Sequence, residues 1–164
     1  MKLKIKGLST EILTPVTVDC DGGEVTFTLK WMPIESKEVK TELAKLFSQS
    51  QRELGRLQLK INQVVNTEDK NDDTLAEMYD TWDQLEALSE EKQSTVITEI
   101  TNRLIGWSGL TGENDEGKEM PVPFERETLN FLLADDAFYH AFVDGFKGLL
   151  GLRQLEREEA EKNS

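Results

Sequence analysis

Apolar and polar residues alternate strictly at the start of the chain and then change to steps of three and four. Lys2-Leu3-Lys4-Ile5-Lys6 alternates with period two, and Val16, Val18 and Cys20 do so again. Val25, Phe27, Leu29 and Trp31 share one face while Thr26, Thr28 and Lys30 take the other. A period of two predicts strands with one face buried. Asp21-Gly22-Gly23 between two such runs predicts a hairpin, because glycine accepts the positive φ that tight hairpin turns require. Pro33 ends the last strand, since proline brings no N–H to a ladder. The expectation is a small N-terminal antiparallel sheet over residues 1–34.

From Ser36, placed as a helix cap, the period lengthens. Val39, Leu43, Leu46, Phe47, Leu54, Leu57, Ile61 and Val64 recur at helical steps, which puts one apolar stripe on a long helix. Gly55 weakens its interior by roughly 1 kcal/mol relative to alanine. The polar run 67–73 reads as a connector. A second stripe follows (Leu75, Met78, Tyr79, Trp82, Leu85, Leu88), and a third continues through Val96, Ile97, Ile100, Leu104 and Ile105. They read as two helices, or as one broken near Ser89. Later, Leu129, Phe131, Leu132 and Leu133 predict a short helix that stops at Ala134-Asp135. Asp135 or Asp136 can cap the next one, because a carboxylate accepts the free N–H groups at a helix start and meets the positive end of the dipole. That helix carries Phe138, Tyr139, Phe142, Val143, Phe146, Leu149 and Leu150, and Gly148 and Gly151 loosen its end. The chain therefore reads as α+β: a β-rich segment over 1–34, a mainly α-helical body over 35–152, and a charged tail over 153–164. The tail has too few apolar residues to offset the entropy of ordering it.

Residues 104–124, LIGWSGLTGENDEGKEMPVPF, join these helices. The apolar helix end at Ile100, Leu104 and Ile105 runs into Gly106-Trp107, with Gly106 as the left-handed cap. An acidic turn from Glu113 to Gly117 follows. Pro121-Val122-Pro123-Phe124 then forces an extended entry, with Phe124 placed to staple the next helix to the body. This order resembles the C-terminal half of the tail assembly chaperones of long-tailed bacteriophages. The resemblance covers the chain from the Ile100 helix end onward, and the rest in outline. It implies a protein of the bacterial host cytoplasm that binds the long, helical, aggregation-prone tape measure protein. It would keep that client soluble before the tail tube polymerises.

Composition narrows the classes. The chain has 164 residues, 37% of them hydrophobic, enough for one domain, or one domain with a small appendage, with a real core. No apolar run approaches a membrane span, and the N-terminus lacks the apolar stretch of a signal peptide. The single cysteine, Cys20, suits a reducing compartment. The net charge of −13 is uneven: residues 1–60 hold 10 Lys/Arg against 8 Asp/Glu, and residues 61–164 hold 9 against 24. So acidic a second half repels nucleic-acid phosphates and anionic membranes. Neither is expected as a partner.

Catalytic chemistry finds little purchase. His140 is the only histidine, and Cys20 sits beside Asp19 and Asp21, which disfavour a thiolate. The acidic turns at 19–24 and 113–117 lack the ligand spacing of an EF-hand and read as ordinary turns. No P-loop, G-x-G-x-x-G, C-x-x-C or G-x-S-x-G motif occurs. The expectation is a binding protein with no catalytic residues, metal or cofactor. Phe138, Phe142, Phe146 and Leu149 form one continuous helical face, widened by Leu150. As core, this face would pack on the 39–64 stripe. As a partner-binding surface it would form a groove for a client helix. The stripe is wider than a single core-facing seam requires, so the face is expected to contribute to partner binding as well as to the fold, and self-association stays open. Two other readings are a minor or completion protein that remains in the phage tail, and an acidic DNA mimic.

Overall fold

The computed structural model describes residues 11–34, 36–67, 71–152 and 161–162; the 2–6 alternation and most of the 153–164 tail lie outside the described residues. The fold is α+β, as the periodicity predicts. Its compact units are not consecutive in sequence: Glu38–Thr98 forms one, and the flanking segments together form the other.

The flanking unit is built on a three-stranded antiparallel sheet. Strands β1 (Ile12–Cys20) and β2 (Gly23–Trp31) pair in register from Ile12↔Trp31 to Cys20↔Gly23. Asp21-Gly22 closes the hairpin, and Gly23 takes the positive φ (118°) that an L side chain resists. Thr14, Val16 and Val18 of β1 and Phe27, Leu29 and Trp31 of β2 are buried, one face as the alternation requires.

The other unit is a pair of long helices, α1 (Lys37–Val65) and α2 (Asp72–Arg103), the last turn of α2 belonging to the sheet unit. Helix α2 is continuous through Ser89, so the expected break is absent: nothing between Asp72 and Arg103 is a glycine or proline. Asn71 starts it, its Oδ1 accepting from the Thr74 N–H at 2.8 Å and the Thr74 hydroxyl at 2.7 Å. Lys60 pairs with Glu77 at 3.5 Å, and Lys92 sets its ammonium 5.8 Å from the Phe47 ring centre. Those two contacts make the helices antiparallel.

Burial on both follows the 3.5-residue period of a coiled-coil seam. On α1 the buried residues are Leu43, Phe47, Leu57 and Ile61, with Leu54 half-buried between them. On α2 the seam runs through Met78, Thr81, Leu85 and Leu88. Helical spacing puts Tyr79 and Trp82 on that stripe, but they stand exposed at 62% and 45%. Thr81 takes the seam position instead, its hydroxyl satisfied by the Glu77 carbonyl at 2.8 Å.

The helix does not run on to Ile105. Strand β3 (Leu104–Ser108) begins directly after Arg103 and pairs with β2, giving the order β1-β2-β3. Gly106 is thus a strand residue rather than a left-handed cap; Gly109, at φ 82°, makes the turn. The acidic turn is the tip of a second hairpin, β4 (Thr111–Glu113) with β5 (Glu119–Pro121). Asn114 Oδ1 accepts from the N–H groups of Glu116 and Lys118, and Gly117 supplies the positive φ of 76°. Two helices follow, α3 (Arg126–Leu133) and α4 (Asp136–Leu149). Asp135 caps α4 as expected, accepting from the Phe138 N–H at 3.1 Å. Gly151, at φ 76°, follows its C-terminus.

Candidate partner-binding surfaces

The aromatic stripe of α4 faces the sheet. Phe27 meets Phe138 and Phe142 at ring-centre distances of 6.1 and 6.2 Å, and Trp31 meets Phe146 at 5.7 Å. Phe142 also meets Trp107 of β3, edge on, at 6.3 Å. Phe142 and Phe146 are fully buried, Leu149 and Leu150 nearly so, and Phe138 is half-buried. The five residues expected to bind a partner are therefore brought together, as core. Their counterpart is the β1–β2 face and not the 39–64 stripe, which forms the seam with α2. A sheet offers a broad flat surface, and this accounts for a stripe wider than one helix seam needs.

Gly145 lets α4 lie close. A Cβ there would stand 2.6 Å from Leu29 Cδ1, 3.0 Å from Thr14 Oγ1 and 3.1 Å from Val16 Cγ1. Under this contact Trp31 Nε1 donates to Thr14 Oγ1 at 2.7 Å, a buried bond that satisfies both groups.

The 104–124 segment is tied down by Trp107. Its Nε1 donates to the Val122 carbonyl at 2.8 Å, and its ring meets Phe124 edge on at 4.8 Å. Phe124 thus fastens the approach to α3 onto β3. Large apolar side chains stand in solvent on either side of this junction: Met120 and Phe124 are partly exposed, and Phe131 is 77% exposed. Leu129, Leu132 and Leu133 bury the other side of α3, so Phe131 points away from the core. By residue type Phe131 groups with its apolar neighbours Leu129, Leu132 and Leu133. Its angular position, 100° per residue, was the signal that could have separated it.

The polar candidates are modest. His140 is exposed, its ring 5.7 Å from that of Tyr139, beside an open groove of about 430 Å³ between β1 and α4. Asp19, Asp144 and Lys147 share the groove, mixing both signs of charge. Desolvation raises the Tyr139 phenol above its ordinary pKa of 10.0. Cys20 is exposed at the end of β1. Among the described residues, no three His, Cys, Asp or Glu are grouped to hold a metal ion, and no helix is long and apolar enough to cross a membrane.

The chain matches no protein-family model, no curated protein and no solved structure with which it was compared.

Proposed function

We propose that this protein is a non-enzymatic phage tail assembly chaperone that binds the tape measure protein in the host cytoplasm and keeps it soluble. The sequence order around Trp107 and Phe124 supports the reading. The observation that carries it is the exposure of Met120 and Phe124 in that segment and of Phe131 on the helix that follows it, with Phe131 standing clear of the core. Isolated exposed apolar residues are ordinary, but three large ones within twelve positions are the kind of side chain that an amphipathic client helix packs against. The acid-rich second half would keep a complex with an apolar client in solution.

Co-expression tests the proposal. The tape measure protein made with this chain is expected in the soluble fraction and in complex, and Phe131→Asp is expected to reduce both. A client equally insoluble with and without this chain would overturn the chaperone reading. Mass spectrometry of purified particles separates it from a resident tail component: a chaperone is absent from them.

A further inference from the structure

One side of the α1–α2 pair carries almost no charge. The Lys60–Glu77 contact marks one flank of the seam, where Glu53, Arg56 and Glu91 also line a groove. On the opposite flank of α1 run two rows at seven-residue spacing. One passes through Thr41, Ser48, Gly55 and Asn62; the other runs from Ala44 to Val65 through two glutamines. Neither row contains an ionisable residue, although half of the remaining surface positions between them do. Antiparallel pairing brings the matching flank of α2 beside these rows, and there stand Leu75, Tyr79 and Trp82, with Glu86 the one charge before Gln93. Tyr79, Trp82 and Val65 are exposed.

Gly55 lies in this face. A glycine inside a helix costs stability, and here no atom of another described element lies within 4 Å of where its Cβ would be. Among the described residues, no side chain fills the notch. The register fixed by Lys60–Glu77 and Phe47–Lys92 sets Gly55 level with the turn of α2 that bears Trp82. One face thus presents a large knob and a notch side by side at the same height.

We infer that this face binds a second copy of the chain, the two helix pairs closing into a four-helix bundle. A two-fold axis along the pair lays α1 of one copy on α2 of the other, so that all neighbouring helices are antiparallel. Trp82 of each copy then covers Gly55 of the other, and Val65, Leu75 and Tyr79 of the two copies gather at one end. Charge selects the same face. Two chains of −13 repel, and they meet most readily where each presents only one carboxylate, that of Glu86. Size fits as well. Residues 41–65 run about 37 Å at 1.5 Å per residue, and two helices side by side make a face on the order of 700 Å². That is near the roughly 800 Å² per partner of a standard stable interface. The inference is independent of the chaperone reading and uses none of its residues.

Sedimentation equilibrium of the purified full chain is the test. The wild type is expected at twice 18.7 kDa, with association that holds or tightens as salt screens the net repulsion. Trp82→Glu is expected to be monomeric with an unchanged helical circular dichroism spectrum. Gly55→Gln provides the sharper arm, because glutamine is the better helix former and adds no charge. It should raise helicity or leave it unchanged while weakening the dimer at least about tenfold (1.4 kcal/mol). A monomeric wild type at about 100 μM, far above the dissociation constants usual for interfaces of this size, would overturn the proposal. So would a dimer that both variants leave intact, which would place the contact on another face.

Discussion

Replacing Gly145 by alanine should destabilise the sheet unit, against the usual sign of glycine-to-alanine changes in helices. In an exposed helix interior the replacement gains about 0.8–1 kcal/mol. At Gly145 the new methyl would lie 2.6 Å from Leu29 Cδ1 and 3.0 Å from Thr14 Oγ1. Leu29 is fully buried and cannot swing into solvent. Thr14 cannot move without stretching its bond from Trp31 Nε1. Overpacking of this kind costs roughly 1–3 kcal/mol, so the net loss is up to about 2 kcal/mol. For a unit of this size each kcal/mol shifts the melting temperature by about 4 °C or more. Fluorescence melts in a Trp82→Phe background read Trp31 and Trp107 alone, and both belong to the sheet unit. Leu29→Val removes the colliding methyl, so the double variant should lose less than the two single losses added. A Gly145→Ala protein that melts at or above the parent temperature would refute the close-approach argument.

Three further outcomes follow from single contacts. Thr14→Val keeps the shape but leaves the buried Trp31 N–H without its acceptor, and should cost about 1–3 kcal/mol in urea titrations of the same fluorescence signal. Asp135→Ala removes the cap of α4 and should cost about 1 kcal/mol by the same assay, with Asp135→Asn recovering most of it. The raised Tyr139 pKa means that, above pH 10, the folded chain keeps a proton the unfolded chain loses, so stability falls as pH rises through that range and is unaffected below it. Tyr139→Phe should flatten this alkaline limb in denaturation midpoints measured from pH 8 to about 11.

The sequence makes legible those elements whose determinants are local. The first hairpin is written in period-two alternation and in Asp21-Gly22-Gly23, and the start of α4 is written in Asp135; each needs only its near neighbours. Strand β3 is different. Leu104 and Ile105 continue the helical steps from Ile100, and only pairing with β2, more than seventy residues earlier, makes them a strand. Long-range pairing overrides the local pattern there, as it commonly does for strands. The same distance hides the role of Gly145, which depends on Thr14, Val16 and Leu29.

The aromatic residues show why type and spacing do not by themselves assign a surface. A wide aromatic face on α4 and a cluster of large side chains on α2 look alike in one dimension. The difference lies in what is opposite. Helix α4 meets a sheet whose Phe27 and Trp31 are placed to receive Phe142 and Phe146, so the width of its stripe is used within the chain. Helix α2 meets α1 along a seam of 3.5-residue period, and Tyr79 and Trp82 fall outside that seam once Thr81 occupies it. A threonine can do so because its hydroxyl bonds back to the preceding turn. The aromatics it displaces then stand beside the unfilled notch at Gly55, on the flank of α1 that lacks charge. An apolar residue excluded from one interface by a polar one is a stronger sign of a second interface than apolar content alone, because the seam could have buried it and does not.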